Sequence, residues 1–385
     1  MKIVMDATSI RSRPSGIGIY IKNLIEAFLM LSLNDRQIDL DVNLNLKVLY
    51  RSKHFYNHLR KNYPDLIKAK TLDLLYYPFP SEKSFQLLQT FDFLVNLSES
   101  ILGHPHIVHG LDYLNYPFAN SKNIITIYDL SFLKYPHYSP DRILRTYQSR
   151  LEKCLAWTDL IITISENSKK DIMSFFNVPA EKIWVTPLGS HYTALDRNSL
   201  PPQSPTTYPY LLFVGTIEPR KNLNTLIQAF EYLKASHNIP HHLVLIGQKG
   251  WKYESILDSI EYSKYRNHIH QLDYLNDDQV AAFYQYATAF VYPSYYEGFG
   301  LPVLEAMGFG TPVITSDRSS LPEVTGDAAL LINPDDFKQL AEAILTVIEN
   351  PEIRQSLIKK GKERSTVFSW ERTALITLQA YQSLL

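Results

Sequence analysis

Short apolar runs alternate with longer amphipathic ones along most of the chain. KIVMDAT (2–8) reads as a strand and IYIKNLIEAFLML (19–31) as a helix. In IDLDVNLNLKV (38–48), Ile38, Leu40, Val42, Leu44, Leu46 and Val48 fall at strict period two, the clearest strand pattern present. HIVH (106–109), NIITIY (123–128), LIITIS (160–165) and KIWVTP (182–187) continue the series, with helical stretches between them. Repeated strand–helix alternation predicts a parallel sheet wrapped by helices.

At 189–209, GSHYTALDRNSLPPQSPTTYP, the alternation stops; four prolines and several Ser, Thr and Asn residues stand there without apolar periodicity. It restarts with YLLFVG (210–215), a helix from Leu223, HLVLIG (242–247), HIHQLDYL (268–275), FVYPS (290–294), PVIT (312–315) and ALLIN (329–333). The expected division is an α/β domain over 1–195, a linker over 196–209 and a second α/β domain over 210–366. The tail, 367–385, reads as a helix that packs back on the first domain. Both domains are expected to be Rossmann-like. Ligands in such sheets sit at the carboxyl ends of the strands, so two facing domains make a cleft.

Length and composition agree with two globular domains: 385 residues, 45% hydrophobic and 20% charged. A formal net charge of −1 argues against nucleic acid as a partner. The single cysteine, Cys154, excludes an internal disulfide framework and a cysteine-rich metal site. No apolar run reads as long enough to span a bilayer, and Asp6 comes too early for a secretory signal. The expectation is a cytoplasmic protein, in contact with the inner face of the membrane if the basic, aromatic stretch 50–70 docks on anionic lipid. That stretch sets Arg51, Lys53, Arg60, Lys61, Lys68 and Lys70 against Asp65 alone; a solvated helix face is its plainer reading.

The richest chemistry lies in EGFGLPVLEAMGFGTPV (297–313), where Glu297 and Glu305 flank Gly298, Gly300 and Pro302. Strand, glycine loop and helix in that order aim free N–H groups and a positive dipole end at one point, which suits a phosphate. A carboxylate one turn into the helix can accept hydrogen bonds from ribose hydroxyls. GTIEPRKNL (215–223) follows the first strand of the second domain: Gly215 permits close backbone approach, and Arg220 and Lys221 could neutralise a diphosphate in place of a metal. No metal-ligand spacing appears. In the first domain, Gly16 and Gly18 open a helix as an incomplete dinucleotide fingerprint. His109, Tyr128 and Asp129 end strands, so they are expected to point into the cleft, with Asp129 alternatively capping the next segment.

Together these residues resemble the retaining GT-B glycosyltransferases of the family 4 type, most strongly through GTIEPRKNL, the run from YPSYYEGFGLPVLE to LLINPDD, and FSWERTA. The resemblance implies transfer of a hexose from a nucleotide diphosphate sugar (UDP-glucose or another UDP-hexose, or GDP-mannose) to a glycan or lipid-linked saccharide. It implies no cofactor and no metal. It sets Glu297 by the donor sugar and Glu305 on the ribose. N–H groups around Phe299, Gly300 and Leu301 would meet the diphosphate with Arg220 and Lys221, Leu272 would flank the base, and Gly16 and Gly18 would close over the donor. The family's usual histidine is replaced by Tyr128, and the arginine that often follows the glycine is Thr216. A sugar-nucleotide epimerase or hydrolase, a nucleotide-sugar-binding protein without turnover and a dinucleotide oxidoreductase are the alternatives.

Overall fold

In the computed structural model, the described residues are 1–11, 16–33, 44–77, 92–190, 192 and 204–385. They form two all-parallel sheets. The first holds β1 (Lys2–Asp6), β2 (Asn45–Tyr50), β3 (Leu72–Tyr76), β4 (Ile107–Gly110), β5 (Lys122–Thr126), β6 (Leu160–Thr163) and β7 (Ile183–Val185), in the order 3-2-1-4-5-6-7. The second holds β8 (Tyr210–Val214), β9 (His242–Ile246), β10 (Ile269–Leu272), β11 (Ala289–Tyr292), β12 (Val313–Ser316) and β13 (Ala329–Ile332), in the order 10-9-8-11-12-13. Both orders reverse beside the sheet's first strand, between β1 and β4 and between β8 and β11. A doubly wound sheet opens its crevice at such a switch point. The central strands are near-continuous apolar runs buried on both faces, as helices on either side require: all four residues of β4, β6, β11 and β12 are buried.

The expected strands are present, though several are shorter. The period-two run at 38–48 is strand only from Asn45, while 38–43 lie outside the described residues, as does most of the linker expected at 196–209. β3 had no counterpart in the sequence reading: LDLLY sits at a sheet edge with one buried residue, Leu72, and so has no period-two signature.

One expectation is corrected. The helix Gly16–Leu33 has the length and mean hydropathy (1.4 over 18 residues) of a bilayer span. Packing explains its apolar character, because Phe28 stacks on Tyr381 at 5.9 Å and Tyr20 meets Trp370 edge-on at the same distance. Both partners belong to the tail helix Trp370–Gln382, which thus lies on the first domain. Thr373 Oγ1 donates to Pro187 O at 2.5 Å, and a Cβ on Gly189 would stand 2.3 Å from Trp370 N. The outgoing and returning chains therefore run side by side between the domains.

At the amino ends of β9 and β10, Tyr208, His242 and His270 form a stack, with His242 Nδ1 2.7 Å from His270 Nε2. Burial, reinforced by the charges of His268, His270, Lys234 and His241, lowers the His242 pKa to about 4; burial and Lys234 bring His241 to about 4. Relative to a free histidine at 6.5, the folded state binds fewer protons than the unfolded state in this window. Stability is therefore complete above about pH 6.5 and lost as pH falls towards 4. The melting temperature should be lower at pH 5 than at pH 7, and His242→Gln should shrink that difference; an unchanged difference would refute the assignment.

Candidate active site

The loop after β11 delivers Glu297 to the crevice and ends in the helix Leu301–Phe309. Gly300 caps that helix at φ +107°, a conformation open to glycine, where a Cβ would also stand 2.8 Å from Leu321 Cδ2. Pro302 sits in the first turn, where its missing N–H removes no helical bond. No side chain caps the helix, so its first N–H groups and positive dipole end face the same point.

Glu297 is buried and joined to both cations of the loop after β8. Its Oε1 accepts from Lys221 Nζ at 2.7 Å and Ser294 Oγ at 2.6 Å, while Oε2 is 3.1 Å from Arg220 Nη1. Arg220 Nη2 also pairs with Glu218 Oε1 at 2.7 Å, and Lys221 Nζ donates to Tyr292 OH at 2.7 Å, 5.1 Å from that ring's centroid. Burial alone would raise the Glu297 pKa, but Arg220, Lys221 and the hydrogen bonds from Lys221 and Ser294 outweigh it and hold it at about 2. Burial opposes the Arg220 charge too, yet Glu297 and Glu218 raise its pKa well above the ordinary value. Lys221 shifts down, through burial and its Arg220 neighbour. The sequence reading paired the cations for a ligand and missed that Glu297 and Glu218 neutralise them. Glu218, two residues before Arg220, was the signal available.

Glu305 lies one turn into the helix, buried, with Oε2 accepting from Tyr284 OH at 3.0 Å. Phe299 is buried against Phe368, their centroids 5.6 Å apart. Gly215 continues β8 and Leu272 ends β10, both on the crevice edge. Gly16 and Gly18 fall inside the first turn of the helix Gly16–Leu33 rather than in a loop before it. Asp129 both caps and lines the crevice: Oδ1 accepts from Ser131 N at 2.9 Å, and the residue walls a cavity shared with Arg220.

His109 is a correction. It ends its strand but is fully buried, with Nδ1 2.6 Å from Tyr381 OH and Nε2 2.8 Å from Thr126 Oγ1. Burial drives its pKa down to about 3, so it is a neutral internal bridge to the tail helix. Tyr128 is likewise buried, its hydroxyl donating to Leu111 O at 2.5 Å. At a strand end the alternation of side chains decides which face a residue takes, and both turn inward. The six basic residues of 50–70 are exposed, on and around the helices Lys53–Asn62 and Pro64–Lys68.

The domains are latched beneath the Glu297 loop. A Cβ on Gly298 would lie 3.0 Å from both Tyr128 O and Asp129 Cβ, tighter than ordinary contact, so glycine eases the close approach of the loop to the first domain. Ser168 Oγ donates across to Gly298 O at 3.4 Å, and Tyr296 OH to Asp171 Oδ2 at 2.7 Å. The Glu323 carboxylate accepts from Glu166 N at 3.0 Å and Asn167 N at 3.3 Å, at the positive end of the helix Glu166–Phe176. Arg364 holds the Glu323 backbone oxygen at 2.6 Å. Glu323→Ala should lower kcat/KM about tenfold, or about 1.4 kcal/mol, the order of one hydrogen bond to a charged group. Glu323→Gln, which keeps an acceptor, should recover part of it. Small-angle scattering should show a wider molecule for the alanine variant; unchanged kinetics and radius would refute the latch.

Residues 196–364 match the family described as glycosyl transferases group 1. O-antigen chain mannosyltransferase B of Escherichia coli is 34% identical over 285 residues, covering 72% of this chain and 74% of that protein. O-antigen chain mannosyltransferase RfbU of Salmonella typhimurium is 29% identical, covering 59% of this chain and 61% of its own. Among solved structures, sucrose-phosphate synthase from Thermosynechococcus elongatus superposes with a TM-score of 0.72 at 23% identity, over 99% of this chain and 98% of that one. That likeness carries the fold: two facing parallel-sheet domains in the GT-B arrangement.

Proposed function

The chain belongs to the glycosyl transferases group 1 family and is a hexosyltransferase, and from that premise we propose its finer chemistry. It moves a hexose with retention and without a metal ion, as in family 4, from a nucleotide diphosphate sugar to a hydroxyl of a growing glycan or lipid-linked saccharide. The observation that supports this is the Glu297 carboxylate between Arg220 and Lys221, set at an uncapped helix start on the switch point of the sheet.

In this reading the diphosphate lies on the N–H groups around Phe299, Gly300 and Leu301. Lys221 exchanges part of its bond to Glu297 for a phosphate oxygen as charge builds on the leaving group. Glu297 is then freed to accept from a hydroxyl of the donor sugar. Glu305 takes the ribose hydroxyls, with Tyr284 holding its second oxygen in place. The departing diphosphate accepts the acceptor's proton on the same face of the sugar. The protein therefore contributes charge stabilisation and positioning rather than a nucleophile.

The names of the two relatives favour mannose as the sugar over glucose. A thermal-shift panel of GDP-mannose, UDP-glucose, GDP and UDP tests the donor, since a native-state ligand at 100 times its Kd adds about 2.7 kcal/mol. The expected result is a shift with GDP-mannose and chelator-resistant transfer that keeps the anomeric configuration. No shift with any nucleotide sugar would overturn the reading.

A further inference from the structure

At the end of the first sheet away from the crevice lies a cavity of about 730 Å3, walled by the amino ends of β1, β2 and β3 and by the helix Lys53–Asn62. Small-molecule sites typically span roughly 300–1,000 Å3. The 5 residues of β1 run from this edge to the crevice, a length of roughly 16 Å. Among the described residues, the charged groups that line the cavity are Lys2, Lys47, Arg60, Lys70 and Asp73, four cations and one carboxylate, for a sum of +3. The chain as a whole carries −1, so the excess is a local arrangement and not a property of the composition.

The fold brings these cations together from separate segments. Lys2 opens β1 and pairs in register with Asn45, which opens β2; Lys70 stands just ahead of Leu72, the first residue of β3. Neighbouring strands lie about 4.8 Å apart, so β1 and β3, on either side of β2, place the backbones of Lys2 and Lys70 about 10 Å apart. A flexible four-carbon stem lets each ammonium reach an anion in that gap. The Lys70 backbone is pinned there: its N donates to Ile67 O at 3.1 Å, its O accepts from Asn45 Nδ2 at 3.2 Å, and its φ is +57°. Lys47 is engaged within the protein, 3.3 Å from Asp73 and donating to Leu102 O at 3.2 Å. The unbalanced charge is therefore that of Lys2, Arg60 and Lys70. Arg60 stands over the Tyr56 ring at 5.6 Å and donates to its hydroxyl at 3.2 Å, a bond that uses one donor of its fork. Three cations suit a phosphate monoester, whose three terminal oxygens and charge near −2 can meet one each. Such an ion alone fills little of the cavity, and Tyr56, Ile67 and Leu102 offer apolar surface to a carbon body attached to it.

We propose that this cavity is a second ligand site, which takes an organic phosphate monoester with its phosphate between Lys2, Arg60 and Lys70 and its carbon body against Tyr56 and Ile67. A soluble phosphate ester and the headgroup of phosphatidic acid share this chemistry. The inference goes beyond the glycosyl-transfer reading and does not rest on it, because none of these residues belongs to the crevice.

The test uses two probes: glycerol 3-phosphate, followed by NMR, and phosphatidylcholine vesicles with or without phosphatidic acid, followed by sedimentation. Each is added to the full-length wild type, to a variant combining Lys2→Ala with Lys70→Ala, to Arg60→Ala and to Lys221→Ala. Lys2, Arg60 and Lys70 are exposed, so their variants should keep the wild-type melting temperature, and Arg60→Ala gives a readout independent of the double variant. The expected result is saturable binding of the ester, or of the vesicles that contain phosphatidic acid, at least tenfold weaker in the double variant and in Arg60→Ala and unchanged in Lys221→Ala. Binding of the ester shows that the phosphate needs no membrane; binding of the acidic vesicles alone assigns the site to a lipid headgroup. The proposal is overturned by binding of neither probe, by equal binding to vesicles without phosphatidic acid, or by unchanged affinity in the cavity variants. Loss of binding in a folded Lys221→Ala protein overturns it too, because the phosphate then sits in the crevice.

Discussion

Alanine in place of Lys221 should lower the rate of sugar transfer by about 10²–10³, the loss expected on removing one group that stabilises charge on a leaving oxyanion, about 2.7–4 kcal/mol of barrier. The ammonium is buried and held by Tyr292 and Glu297 at 2.7 Å each, so it is already in place at the site before charge builds. Stability should suffer less, because Arg220 and Ser294 still hold Glu297 at 3.1 and 2.6 Å. The measurement is kcat at saturating donor beside a melting curve of the same sample. Near-normal turnover by a folded Lys221→Ala protein would remove the assignment of the leaving-group site.

Glu297→Ala should be the more damaging substitution for the fold. It leaves Arg220 and Lys221 adjacent and buried with one carboxylate, Glu218, between them. Breaking a buried ion pair by removing one partner costs about 3–5 kcal/mol. Glu297→Gln should cost less, since the amide oxygen still accepts from Lys221. The acid limb of the stability curve separates the variants. A carboxyl held at about 2 against an ordinary 4.5 gives up protons that the unfolded chain retains, so its contribution is present above about pH 4.5 and lost as pH falls towards 2. Denaturant unfolding at pH 6 and pH 3 should show that loss in the wild type and a flatter response in Glu297→Gln. Equal slopes would mean that the ionised carboxylate does not stabilise the fold.

How much of this was legible in the sequence depended on whether the signal was local. Strands buried on both faces, such as LIIT and AFVY, are continuous apolar runs and announce themselves. The edge strand LDLLY is half exposed and does not. The loop EGFGLPVLE carries its own turn and helix-start chemistry, so the position of Glu297 and Glu305 followed from spacing alone. His109 misled because a strand's end is readable, whereas the partner that its side chain meets inside the protein, Tyr381, comes 272 residues later in the chain. The neutralisation of Arg220 and Lys221 is likewise tertiary, bringing together residues 76 apart. The cavity that Asp129 shares with Arg220 draws Tyr113, Phe132, Tyr147 and Trp251 from four separate segments, and no window of sequence holds them together.

The side-by-side passage of the chain at Gly189 and Trp370 has a mechanical consequence. Two rigid bodies joined by one strand keep nearly all of their relative freedom. Joined by two strands in contact, they retain chiefly rotation about the line of the crossings. Opening is then a swing about an axis at one end of the crevice, and displacement grows with distance from that axis. Gly189 has no side chain to act as a stop, and any larger residue there would collide with Trp370 N at 2.3 Å. The residue that lets the two crossings touch is thus one that takes no part in the chemistry of the crevice.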